Sequence, residues 1–169
     1  MLDETTNRRL TGLTGAGYFV AFLLVALSLF DFALTLWPFQ PSDPSWRYGS
    51  MGLLSGFLLT PMLGSLLATF IAGFAGHNRT FKTLGILNAI GALILLILLI
   101  SFALDSIQVR RETSPEAREV FVTGAAKAAM KHLTGIIAFG WLGIATLRAG
   151  RRPRVSERAD ARSPILGHK

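Results

Sequence analysis

A bundle of four membrane-spanning α-helices is the fold class this sequence predicts, and three observations predict it. Four apolar runs, at residues 16–37, 51–76, 83–104 and 120–147, cover more than half of the 169-residue chain. A helix rising 1.5 Å per residue needs about 20 residues to cross a hydrocarbon core roughly 30 Å thick, and each run meets that length. Apolar side chains make up 51% of the sequence before glycine is counted, more than a water-soluble domain carries. The segments between the runs are short and hold interface-marking residues: Trp37 ahead of Pro38, then Trp46 and Tyr48, with Lys and Arg clustered nearby.

Taken in order, residues 1–15 form a polar N-terminal segment with Asp3, Glu4, Arg8 and Arg9, expected to be loose. The Arg8-Arg9 pair before an apolar stretch resembles a signal-peptide start. The stretch is too long for a cleaved leader, and its exit, Thr35-Leu36-Trp37-Pro38, offers no small-residue cleavage site, so a retained first helix is expected. Prolines at 38, 41 and 44 make 38–50 a stiff, extended loop. The second helix carries Pro61 near its midpoint. That proline removes one backbone hydrogen bond and should bend the helix, with the Thr60 hydroxyl available to the freed backbone. A short basic connection with His77, Arg79 and Lys82 leads to the third helix, the most uniformly aliphatic of the four.

Residues 105–119 are charged. Within them Thr113-Ser114-Pro115-Glu116 reads as a helix start, with Ser114 as cap and Pro115 at the first helical position. The fourth helix then runs on from about 115 to 147, roughly 50 Å, and its first two turns should stand clear of a bilayer. The transmembrane domain therefore spans 16–148, and the basic tail 149–169 is expected to be disordered. At this length no second folded domain is expected.

Charge placement sets orientation. Arg8, Arg9, Arg79, Lys82 and the seven basic residues from Arg148 to Lys169 lie on one side. Arg47, Arg110, Arg111, Arg118, Lys127 and Lys131 lie on the other. The excess of eleven over six predicts both termini inside, in agreement with an even number of spans. The same mapping turns the net charge of +7 into attraction for the anionic headgroups of a lipid bilayer. No nucleic-acid partner is expected, because no binding fold or aromatic interleaving accompanies the charge.

Candidate site residues follow from what is costly in a span. Asp31, Asp105, Lys127, Lys131 and His132 fall at a similar depth toward the outer side, and ionisable groups there invite a functional reading. Three readings stand open: an interhelical ion pair with snorkelling lysines, a protonatable or ligand-contacting site, or contact of Asp31 with a partner subunit. Ser28, Asp31 and Thr35 share one helix face, and Lys131 and His132 flank the Gly124–Ala128–Gly135 stripe, so both are expected to face the bundle. Asn88 is expected to make an interhelical hydrogen bond. Small residues at four-residue spacing (Gly52 with Gly56, Gly64 with Ala68, Gly85 with Ala89, Gly124 with Ala128) allow close helix approach, within the chain or toward another subunit.

No cysteine is present, which removes disulfides and thiolate chemistry. His77, His132 and His168 are not paired at one depth as a bis-histidine haem requires, so no cofactor and no metal is expected. No catalytic motif is found, and an enzyme is not expected.

Leu36-Trp37-Pro38-Phe39, then Asp43-Pro44 and Trp46, then a span with Pro61 and Gly64, resembles the HpsJ-like group of small four-helix membrane proteins over residues 30–65. Those proteins accompany cyanobacterial exosortase and polysaccharide-secretion systems. The resemblance implies an accessory role in envelope export and carries over no catalytic residue. The sequence thus leads to a non-enzymatic integral protein of a bacterial inner membrane, an accessory or scaffold subunit working with other membrane subunits or with itself. The alternative is a small transporter or channel subunit with a polar path around Asp31, Asn88, Lys131 and His132.

Overall fold

Local capping chemistry, rather than the ends of the apolar runs, decides where these helices begin and stop. The structure is a computed structural model that describes residues 4–150, with side chains from residue 12. Its elements are α1 (Glu4–Thr35), α2 (Pro44–Phe57), α3 (Leu59–Phe74), α4 (Asn78–Glu112), a 3-10 turn (Pro115–Ala117) and α5 (Arg118–Ala149), with no strand among the described residues. Three helical segments, Gly12–Thr35, Asn78–Glu112 and Pro115–Ala149, are each long and apolar enough to cross a membrane. The α2–α3 pair passes the same test as one segment bent by 46°.

Helix α1 already runs from Glu4, so residues 4–15 are helical where a loose segment was expected. The expected disorder of the tail falls on 151–169, outside the described residues. Helix α2 starts within the proline loop. The Asp43 carboxylate accepts the Ser45 backbone N–H at 2.9 Å, and Pro44 occupies the first helical position, where its missing N–H costs nothing. That start brings Arg47 and Tyr48 onto a helix instead of a loop.

Pro61 explains the break at Leu58. It offers no N–H to the Phe57 carbonyl four residues back, and its ring crowds that carbonyl. The freed oxygen accepts the Ser28 hydroxyl from α1 at 3.1 Å, so relief comes from a neighbouring helix and not from Thr60. Just beyond α3, Gly76 takes φ +70°, a left-handed conformation that favours glycine. The His77 N–H then reaches back to the Ala72 carbonyl at 3.0 Å and closes the helix end.

The 35 residues of α4 make it about 52 Å long, so the extended character expected of the last helix belongs to α4 as well. Ser114 is extended and makes no side-chain cap, contrary to expectation. Pro115 opens a single 3-10 turn, and α5 follows from Arg118.

Glycine sets two of the helix contacts. A Cβ on Gly143 would lie 3.0 Å from the Ala89 nitrogen and 3.1 Å from the Gly85 oxygen, so α4 and α5 meet backbone to backbone. A Cβ on Gly64 would come within 2.8 Å of the Ala21 oxygen, which seats α3 on α1. Helix α1 packs on α3 and α2 and does not reach α4 or α5. Leu54, Leu58 and Leu95 form the central cluster, with Phe32, Met62, Ile136 and Phe139 against it.

Burial is inverted relative to a protein packed in water. Ser28, Ser50, Ser55, Thr69, Asn88, Asp105, His132 and Thr146 are buried. Phe19, Phe22, Phe30, Phe70, Ile97 and Trp141 are among many large apolar side chains left outside.

Candidate functional site

The early start of α2 builds a charged and aromatic layer at one end of the bundle. Arg47, in the first turn of that helix, faces α4 and meets Asp105 through two parallel bonds, Nη2 to Oδ1 at 2.7 Å and Nε to Oδ2 at 3.0 Å. Its remaining Nη1 donates to the Pro41 carbonyl at 2.9 Å, so one guanidinium ties the loop, α2 and α4 together. Asp105 is 5% exposed. The fork geometry matches both carboxylate oxygens, and only an arginine supplies it.

Beside the pair stands a column of stacked rings. Phe121 lies on Tyr48 with centroids 4.9 Å apart, Tyr48 on Phe102 at 5.0 Å, and Phe102 on His132 at 6.1 Å. His132 is 0% exposed, and its Nδ1 lies 2.9 Å from the Ala128 carbonyl. A carbonyl only accepts, so Nδ1 carries a proton. The other nitrogen, Nε2, has no hydrogen-bond partner among the described residues. Deeper in the bundle, the Asn88 carbonyl oxygen accepts the Ser65 hydroxyl at 2.5 Å, while its amide nitrogen is unpartnered among the described residues. The expected interhelical bond of Asn88 is present.

The cluster expected from Asp31, Asp105, Lys127, Lys131 and His132 does not assemble. Asp105 pairs with Arg47 and not with a lysine of α5. Lys127 and Lys131 are exposed, and of Lys131 and His132 only His132 faces the bundle. Asp31 is exposed on α1, and its carboxylate has no partner among the described residues. The reason is topological: α1 sits across α2 and α3 from α5, so groups at equal depth lie on opposite flanks. Of Ser28, Asp31 and Thr35, Asp31 and Thr35 stay together on the exposed face and Ser28 is buried. Ser28 turns inward to Phe57, and the Thr35 hydroxyl bonds back to the Asp31 carbonyl at 2.8 Å.

The glycines divide in the same way. Gly64 and Gly85 are closed by neighbouring helices, whereas Gly52, Gly56 and Gly124 have nothing within 4 Å of a notional Cβ. Sequence reasoning missed Arg47 and the ring column. The Asp43-Pro44 start was the available signal, since it places residues 47 and 48 on a helix directed at α4.

Among the described residues, no group of three metal-ligating side chains is present. No family model, curated protein or solved structure matches the chain.

Proposed function

We propose that this chain is a non-enzymatic integral protein of a bacterial inner membrane, crossing it four times with both termini cytoplasmic. In this reading it works as an accessory or scaffold subunit of a larger membrane assembly, and the basic residues after the last helix meet anionic headgroups. The inverted burial supports the membrane setting, because apolar side chains directed outward are stable against lipid and not against water.

One observation carries the subunit role: Asp31, Lys131 and the open glycines Gly52, Gly56 and Gly124 lie on outward faces that a lone bundle leaves unmet. A charge at the centre of a membrane-spanning helix costs about 2.5–3.5 kcal/mol and less toward the ends, so two such groups in the outer half favour a partner that receives them. The likeness to the HpsJ-like group points toward the same accessory role. The transporter reading needs Asp31, Asn88, Lys131 and His132 on one cavity, and the first and third lie on opposite flanks.

The test is affinity purification from native membranes in a mild detergent, with mass spectrometry of whatever co-purifies. Stoichiometric membrane partners, or a defined oligomer of this chain, are expected. A lone monomer with nothing attached would overturn the proposal.

A further inference from the structure

Helices α1 and α5 each carry a heptad seam that the other helices leave largely outward, with Leu24 of the first backing onto Gly64 of α3. On α1 the seam is Val20, Leu24, Leu27, Asp31 and Leu34, spaced by alternating four and three residues, and all but Leu24 are exposed. On α5 it is Lys127, Lys131, Thr134, Ala138 and Trp141, and all but Ala138 are exposed. This 3–4 spacing is the repeat that lets two helices pack along their length. Each seam holds charge of one sign: a single carboxylate on α1, two ammonium groups on α5.

Contacts within the fold place the opposite charges at one depth. Ser28 reaches the Phe57 carbonyl, and the Cβ position of Gly135 lies 3.4 Å from Leu58, so both mark the level of the α2–α3 break. Asp31 is three residues outward of the first and Lys131 four residues outward of the second. They therefore lie about 4.5 and 6 Å beyond the break. Since α1 and α5 run in opposite directions, pairing Asp31 with Lys131 also sets Leu27 against Thr134, Leu24 against Ala138 and Val20 against Trp141. One chain cannot make this contact, because its own α1 does not reach its own α5.

We infer that α1 of one copy docks on α5 of a second copy, with Asp31 of the first paired to Lys131 of the second. The contact is head-to-tail, so it repeats around a ring or along a row. The inference rests on the membrane and scaffold reading above and deepens it, by naming a second copy of this chain as one partner.

The absence of native cysteine makes a direct test available. Two differently tagged full-length chains, one carrying Leu27→Cys and the other Thr134→Cys, are co-expressed and mildly oxidised in native membranes. A mixed disulfide is expected. Asp31→Lys in the first chain alone, or Lys131→Asp in the second alone, should lower its yield roughly tenfold, because each sets like charges together. Both reversals combined should restore it.

Both charged side chains are exposed and unpartnered among the described residues, so the reversals should leave the thermal unfolding of each chain in detergent unchanged. No mixed disulfide, a Leu27→Cys chain linking mainly to its own kind, or a yield indifferent to the reversals would each overturn the inference. If other membrane proteins still co-purify in that case, the scaffold reading stands without this contact. A monomer with no co-purifying protein overturns both.

Discussion

Arg47 shows how one side chain can set the geometry of three segments. Its fork holds the Asp105 carboxylate through two bonds and the Pro41 carbonyl through a third. Arg47→Ala strands a carboxylate that is 5% exposed, and the expected loss of stability is about 3 kcal/mol. That value lies at the low end for a broken buried pair because the Arg47 side chain itself is 37% exposed. Arg47→Lys keeps the charge and loses the fork, so it should recover only part of the loss. Replacing both partners together, Arg47→Met with Asp105→Leu, should cost far less than Arg47→Ala. Thermal unfolding of the purified protein in one fixed detergent reads all three. The pair was only half legible in the sequence: Asp105 stood out as an acid near the end of an apolar run, but its partner looked like a loop residue. The Asp43-Pro44 start that corrects this consists of two residues, against the longer proline pattern that suggested a loop.

At the scale of the element, the α2–α3 break ties a helix defect to a neighbour. Pro61 removes the N–H that the Phe57 carbonyl needs, and Ser28 of α1 supplies the replacement. Ser28→Ala should therefore cost about 1–2 kcal/mol, the penalty for a buried acceptor left unpaired. In a Pro61→Ala background the helix can make its own bond, and the Ser28→Ala cost should largely vanish. A double-mutant cycle on unfolding free energies measures that coupling, and additive costs would contradict it. The bend itself was legible, since proline chemistry is local. The identity of the donor was not, because it depends on which helix packs alongside. The ends of α1 and α4 were misread for a related reason. Apolar runs report which residues tolerate lipid, whereas a helix continues into polar sequence as long as its backbone bonds are met.

For the whole molecule, four apolar segments and their short connections were readable from residue type alone, because apolar length is a property of composition. Which helices touch was not readable. The candidate ionic cluster failed because depth along the chain's path says nothing about flank, and α1 lies across two helices from α5. The proposed topology is checked with reporter tags at residue 1, near 44, near 112 and at 169. These should report inside, outside, outside and inside, and any other order would contradict a four-crossing arrangement.

The outward apolar coat has a practical corollary. In the proposed membrane setting, water gives this chain no incentive to keep its serines, amides and imidazole enclosed, and the amphiphile surrounding it acts as a component of the fold. Any melting temperature then belongs to protein and amphiphile jointly. Exchanging a long-chain detergent for a short one should move it even with every residue unchanged.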